Sequence, residues 1–307
     1  MLGYHRVTDE ADPLGLAVAV DRFAAHLEVI ARAAEPLRLS DAVRAAGEGT
    51  LPRRAVVVTF DDGYSDAYSH VRPLLERAGV PATVFVTTGR PGRQFWWDEL
   101  TGMVMNATVP AATLALEIRG RRCVWELHGD GPHERYGVAE REVRARTARC
   151  LARELQPLCP AERDTVMQAM RTWAGQRPEA GVATPRALTA DEVRHLAASP
   201  YVDIGAHTVS HPVLALLSPG EQRREVAESR RYLQLLTGTP VTSFSYPHGS
   251  YSLETAAIVA EAGFTAACCS TPDVLTPRSN PLALPRLWVE NQDGGGFAAW
   301  LRGWLHD

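Results

Sequence analysis

Residues 56–87 set the strongest limit on what this chain can fold into. Val56-Val57-Val58-Thr59-Phe60 is an apolar, largely β-branched run, bounded by Pro52-Arg53-Arg54 before it and Asp61-Asp62-Gly63 after it. A run of this kind, ended by turn residues, reads as a buried strand. Ser65 to Gly79 follows with Val71, Leu74, Leu75 and Ala78 on one helical face and Gly79 as a C-terminal stop. Pro81 to Thr87 is a second buried run. Strand, helix, strand at this spacing predicts a βαβ unit, and such a unit requires a parallel sheet.

The alternation recurs elsewhere. Phe23, Leu27 and Ile30 give residues 22–34 a helical period. Thr189-Ala190-Asp191-Glu192 has the form of a capping box opening a helix through Ala198. Val202–Ala206 then reads as a strand, Glu221 to Leu236 as a long helix, Ser243 to Pro247 as a strand, Leu253 to Ala262 as a helix and Thr265 to Cys269 as a strand. Repeated strand-to-helix units predict an α/β barrel, whose chemistry gathers at the C-terminal ends of its strands. Residues 96–186 differ: strand signals are few, Arg, Glu and Ala dominate, and 141–155 and 161–174 are helix-like. The expected organisation is a barrel domain from 1–95 and 187–307, with a mainly helical insertion at 96–186.

Composition narrows the function. A chain of 307 residues with 45% hydrophobic content buries one large core, or one core plus an inserted subdomain. The net charge of -4 gives no support to nucleic-acid binding, and Arg119, Arg121 and Arg122 read as a solvated cluster. All basic residues are Arg, which reads as coding bias. Cys123, Cys150, Cys159, Cys268 and Cys269 are odd in number and fit no zinc spacing, so free thiols in a reducing compartment are expected. The first residues carry no signal-peptide pattern and no stretch is long and apolar enough to span a bilayer. The expected location is therefore cytoplasmic, without membrane insertion.

Two segments carry chemistry. Asp61-Asp62 closes the first strand, and two adjacent carboxylates there invite a cation. Capping of the next helix by Asp62 or Ser65 is the structural alternative. His207-Thr208-Val209-Ser210-His211 offers two imidazoles on one side of a turn, and Pro212 stops a regular helix from continuing. One carboxylate and two histidines make a three-ligand metal site with room for a water, and the second carboxylate is left to act on that water.

The remaining motifs complete a resemblance. Tyr4-His5-Arg6-Val7, Thr59-Phe60-Asp61-Asp62-Gly63-Tyr64, Ala82-Thr83-Val84-Phe85, His207-Thr208-Val209-Ser210-His211-Pro212, Phe244-Ser245-Tyr246-Pro247-His248-Gly249 and Leu284-Pro285-Arg286 occur in this order. Over residues 1–95 and 187–290 the chain resembles the polysaccharide deacetylases of the NodB-homology type, carbohydrate esterase family 4. The resemblance implies a distorted (β/α)7-type barrel and removal of an N-acetyl group from an amino sugar. It makes Asp61 the general base that activates the water. It makes Asp62, His207 and His211 the ligands of a divalent metal, zinc foremost, with cobalt, nickel or manganese able to serve. The backbone N–H of His248, after Pro247, would donate to the oxyanion.

The chain departs from the family pattern in three places. Ser245 stands where the family carries an Arg that steadies the base, and Arg286 is the candidate substitute. His248 replaces an aromatic residue. The family's late catalytic His has no clear match. His248 is expected to be the general acid, with His5 and the terminal His306 as further candidates. His5, Tyr246, Pro247 and Trp97 are expected to line the substrate site, one of Trp96 and Trp97 packing and the other facing the sugar. The expected substrate is a small molecule or glycoconjugate with an N-acetylated sugar. A NodB-like amidohydrolase acting on a non-sugar C–N bond, and a non-catalytic sugar-binding relative, are the alternatives.

Overall fold

The computed structural model describes residues 1–107, 113–127, 140–175 and 185–305. In chain order its elements are β1 (Leu2–Tyr4), β2 (Arg6–Val7), β3 (Ala17–Val18), α1 (Val20–Ala33), β4 (Glu35–Pro36), α2 (Leu39–Glu48), β5 (Ala55–Val56), β6 (Val58–Phe60), α3 (Arg72–Ala78) and β7 (Ala82–Val86). Then come α4 (Trp96–Asn106), β8 (Thr113–Ile118), β9 (Arg121–Glu126), α5 (Glu140–Leu155) and α6 (Pro160–Ala174). The chain ends with α7 (Ala190–Ala197), β10 (Val202–Ala206), α8 (Pro219–Thr237), β11 (Ser243–Ser245), α9 (Leu253–Glu261), β12 (Ala266–Cys268), β13 (Leu287–Trp288) and α10 (Gly294–Arg302).

Backbone contacts divide the chain into two compact units. One comprises Met1–Glu10, Leu16–Arg93 and Arg186–Asp307; the other comprises Ala11–Gly15 and Gln94–Pro185.

The first unit is built on a seven-stranded sheet in the order β12-β11-β10-β7-β6-β1-β13, with every pairing parallel. Parallel strands are covered on both faces, which is why they appear as continuous apolar runs. Val58, Phe60, Val84 and Val86 join the large core, while Val57, Phe85, Cys268 and Leu284 join a second cluster with Leu39 and Ala42 of α2. The sheet curls until one segment reaches both edges. Cys269 N–H bonds to Leu284 O and Arg286 N–H to Thr271 O on the β12 side, while Leu287 N–H bonds to Met1 O and Val289 N–H to Gly3 O on the β1 side. Arg286 lies where this closing segment changes partners. This is the barrel-like architecture expected from the strand–helix alternation.

The helix expected over residues 65–79 is two pieces. Ala67–Val71 forms a π-helical turn before α3, and Gly79 caps α3 at φ 68°. Pro73 has no N–H to donate, so the widened turn falls where the regular ladder is interrupted.

The second unit contains α4, α5, α6 and an antiparallel hairpin, β8–β9, which the few strand signals did not suggest. Leu114, Leu116 and Ile118 are buried and alternate with exposed neighbours. Arg119 (φ 51°) and Gly120 (φ 72°) give the two positive angles of a tight hairpin turn. Within this unit Arg171 holds Glu99 through Nε (2.6 Å) and Nη2 (3.0 Å). Among the described residues, no helix is long and apolar enough to cross a membrane.

Candidate metal centre and general base

The site is assembled at the C-terminal ends of β6, β10 and β11 and completed by the closing segment. β6 ends at Phe60, and Asp61 N–H continues the ladder to Tyr4 O (2.9 Å). Asp62 then turns into the left-handed region (φ 71°) and is held there by Thr87 N–H on its carbonyl (3.1 Å). Gly63 follows at φ 78°, with Val86 so close that a Cβ would lie 3.1 Å from its Cα. Only glycine fits that position without displacing β7. This turn brings both carboxylates into one pocket.

β10 delivers His207, and the segment after it is an irregular turn rather than a helix. Thr208 (φ 66°) and His211 (φ 57°) are both left-handed, and His211 N–H bonds to Thr208 Oγ1 (3.1 Å). Asp62 Oδ1 lies 3.4 Å from His207 Nε2 and 3.2 Å from His211 Nε2. The three donor atoms all lie within 4.8 Å of one another and all three residues are buried. His207 Nδ1–H donates to Ser245 O (2.7 Å), which fixes the tautomer and leaves the Nε2 lone pair facing Asp62. Two imidazole nitrogens and one carboxylate oxygen, oriented in this way, fit a divalent ion such as zinc.

Asp61 sits beside this trio, with Oδ2 4.0 Å from His207 Nε2. Arg286, fully buried, grips it with both arms: Nη1 to Oδ1 and Nη2 to Oδ2, each 2.7 Å. The guanidinium also donates to Cys269 O through Nε (3.1 Å), to Thr59 Oγ1 (3.2 Å) and to Ser245 Oγ (2.9 Å). Ser245 Oγ–H in turn donates to Asp61 Oδ2 (3.0 Å). Ser245 therefore touches the carboxylate through its hydroxyl and a histidine through its carbonyl.

The electrostatics follow from this packing. Burial raises the Asp61 carboxyl, but Arg286 and then His207 outweigh it and hold the group below the usual carboxylate value. Burial also acts on Asp62, and hydrogen bonds from His207 and His211 overcome it, leaving the group well below that value. Burial lowers His207, but the facing Asp61 and Asp62 outweigh it and the imidazole is raised. Burial wins at His211, which is lowered.

The other expected residues divide. His248 occupies a short 3-10 turn at φ 59°, is exposed, and meets the His211 ring edge-on at 4.5 Å. His5 is half-buried, stacked on Trp288 at 4.4 Å, with its charge acting on Asp61 and Asp62. Pro247 is buried at the start of the His248 turn. Tyr246, expected among the substrate contacts, has its ring buried between Phe244 and Tyr251, and its hydroxyl donates to Leu282 O (2.8 Å). A large aromatic ring beside a site is drawn into the core when its hydroxyl finds a carbonyl there. Trp96 and Trp97 are both buried, and Trp97 stacks on Phe95 at 4.6 Å. His306 lies outside the described residues. Two contributors were not anticipated: the Ser245 hydroxyl, and Glu225 of α8, which accepts hydrogen bonds from the His207–His211 turn.

A parallel barrel-like sheet with an Asp-His-His trio and a clamped second carboxylate at its strand ends defines a class, an α/β barrel with a candidate metal site at the C-terminal ends of its strands. The family model for polysaccharide deacetylases matches residues 48–113 and 166–267, and the chain belongs to that family. YxkH of Bacillus subtilis (strain 168), whose name places it in the same family, is 27% identical over 115 residues, 37% of this chain and 41% of its own length. Among solved structures, the Streptococcus pyogenes deacetylase PplD in complex with acetate superposes with a TM-score of 0.63 at 18% identity, covering 100% of this chain and 97% of that one. IcaB from Ammonifex degensii gives 0.62 at 20% identity, covering 98% and 95%. A de-N-acetylase from Aggregatibacter actinomycetemcomitans gives 0.58 at 14%, covering 98% of each. At these identities the likeness is one of fold.

Proposed function

We propose that this protein is a metal-dependent N-deacetylase that removes an acyl group, acetyl foremost, from an amino sugar. The observation that carries the reading is the placement of a charged, doubly clamped Asp61 4.0 Å from a nitrogen of the Asp62-His207-His211 trio. Asp62, His207 and His211 would hold the ion, with zinc best suited to the donor set and cobalt, nickel or manganese as substitutes. The ion, when bound, supplies Lewis acidity for the acyl carbonyl and lowers the pKa of water.

The chain's own residues do the rest. Asp61, ionised at neutral pH, takes a proton from the water as its oxygen attacks the acyl carbon. Arg286 and Ser245 keep that carboxylate oriented, so little is lost to reorganisation at the moment of reaction. The C–N bond then breaks and the leaving nitrogen must gain a proton. His248, beside His211, is the proposed donor, and its backbone N–H is the proposed oxyanion partner. Family membership favours an N-acetylated polysaccharide; a smaller glycoconjugate is the finer form of the same proposal. A non-sugar amide is less favoured, because Arg286 supplies to Asp61 the guanidinium that the family carries at the position of Ser245.

The test is acetate release from chitin oligosaccharides and from monomeric N-acetylglucosamine conjugates, before and after dialysis against a chelator. Activity that disappears with the chelator and returns with zinc supports the proposal. Full activity in the chelated protein, or no release from any N-acyl sugar by zinc-loaded protein, counts against it.

A further inference from the structure

Both histidines of the candidate metal centre hang on a turn that the backbone does not favour. Thr208 and His211 take left-handed φ angles of 66° and 57°. Residues with a Cβ resist that region, so a turn with two such residues persists only when its surroundings fix it. From one side the segment after β7 does so: Thr88 N–H bonds to Thr208 O (3.1 Å) and Gly89 N–H to Val209 O (2.8 Å). Gly89 is packed so closely that a Cβ would lie 2.5 Å from Val209 O.

From the other side a single carboxylate acts. Glu225 Oε2 accepts the backbone N–H groups of Val209 (2.8 Å) and Ser210 (2.9 Å), and Oε1 accepts the Ser210 hydroxyl (2.6 Å). These are charge-assisted bonds, short and directional. They span the middle of His207-Thr208-Val209-Ser210-His211, between the two candidate ligands. Glu225 touches neither imidazole in these bonds. It is half-buried on α8, a helix anchored in the core by Val226 and Leu233.

We infer that Glu225 is a positioning residue for the metal centre: its carboxylate fixes the turn that sets the His207–His211 spacing, and with it the affinity for a divalent cation. The inference rests on the metal-dependent reading of the site. Groups that orient metal ligands from behind are typically worth about 10- to 100-fold in affinity. Glu225→Ala deletes all three acceptor contacts, whereas Glu225→Gln retains a carbonyl oxygen for the backbone N–H groups.

The experiment is a zinc titration of the metal-stripped full chain by competition with a chromophoric chelator, with circular dichroism to check folding. Wild type is expected to bind one zinc, Glu225→Ala to bind about 10- to 100-fold more weakly, and Glu225→Gln to recover a large part of the loss. Ser210→Ala, which removes only the hydroxyl arm, is expected to weaken binding severalfold and serves if Glu225→Ala does not fold. Folded Glu225→Ala that binds zinc within about twofold of wild type would overturn the inference while leaving the metal reading intact. So would a Ser210→Ala affinity equal to wild type should Glu225→Ala not fold. A wild-type chain that holds no zinc would overturn the metal reading and this inference with it.

Discussion

Asp61 and Arg286 are 225 residues apart in sequence and share two hydrogen bonds of 2.7 Å in an end-on, two-armed pair. The pair is fully buried, so its value lies in completeness. Removing one member leaves an uncompensated charge, at a cost of roughly 3–5 kcal/mol. Arg286→Met is therefore expected to lower the free energy of unfolding by that order, measured in urea at pH 7. Arg286→Lys is expected to recover little, because an ammonium cannot match both oxygens. The sign of the pH dependence should also change. In the wild type the Asp61 carboxyl is depressed, so its stabilisation is complete above the unfolded value of about 3.9 and is lost as pH falls through the lower folded value. Burial is already the largest single influence on Asp61, and without Arg286 its main opponent is gone, so stability from this group should instead fall as pH rises. Matching pH profiles for Arg286→Met and wild type would refute the assignment of Arg286 as the counter-charge.

Asp61 and Asp62 are neighbours with different proposed duties, and one substitution separates them. Asp61→Asn keeps the shape but loses the base, and should reduce acetate release by about 100- to 10,000-fold while zinc still binds. Asp62→Ala should lose zinc itself. Parallel zinc titration and acetate assays check both. Loss of zinc in a folded Asp61→Asn protein would mean that Asp61 belongs to the ligand set.

Ser245 separates orientation of the proposed base from orientation of the proposed metal ligand. Its hydroxyl serves Asp61 and Arg286, whereas its carbonyl serves His207. Ser245→Ala removes only the first function. One hydrogen bond to a charged group is worth about 1.5–3 kcal/mol, so the rate should fall by about 10- to 100-fold. Zinc affinity should stay unchanged, because the backbone carbonyl remains. A tenfold loss of zinc binding in Ser245→Ala would show that the hydroxyl supports the metal centre too.

The parts of the site that are legible in sequence are those fixed locally. Asp61-Asp62-Gly63 follows an apolar strand, and His207 and His211 share one turn after another strand, so proximity follows once both strands belong to one parallel sheet. Arg286 is legible only as a candidate, because its contact with Asp61 depends on a closing segment that is mostly irregular. Glu225 is not legible at all. It stands in Glu221-Gln222-Arg223-Arg224-Glu225-Val226, where charged residues face solvent by default, and only the approach of α8 to the His207–His211 turn distinguishes it. Burial of aromatic rings is not legible either: Tyr246 and Trp97, expected at the substrate site, both have buried rings. The β8–β9 hairpin is hard to read because Thr113-Leu114-Ala115-Leu116-Glu117-Ile118 alternates correctly but is β-branched only at its two ends, with helix-forming Leu, Ala and Glu between.

Asp66 gives a test of the fold that does not involve the metal. It is buried, and Arg6 Nε–H donates to its Oδ2 (3.1 Å). Burial outweighs this partner and pushes the carboxyl up to about 6. The folded protein therefore binds this proton more tightly than the unfolded chain, whose Asp titrates near 3.9. The sign follows: the contribution to stability is greatest below about pH 4, declines as pH rises through the folded value of about 6, and is constant from about pH 7. Asp66→Asn removes the titration and with it the counter-charge to Arg6, which the wild type itself has only where the carboxyl is ionised and which is already part of the shifted value. The variant's stability relative to wild type should thus rise with pH, by on the order of 2 kcal/mol between pH 4 and pH 7. Urea unfolding of both proteins at pH 4, 5, 6 and 7 measures it. A difference that stays constant with pH would place the Asp66 carboxyl at its ordinary value, and one that falls with pH would make Arg6, rather than burial, the dominant influence on it.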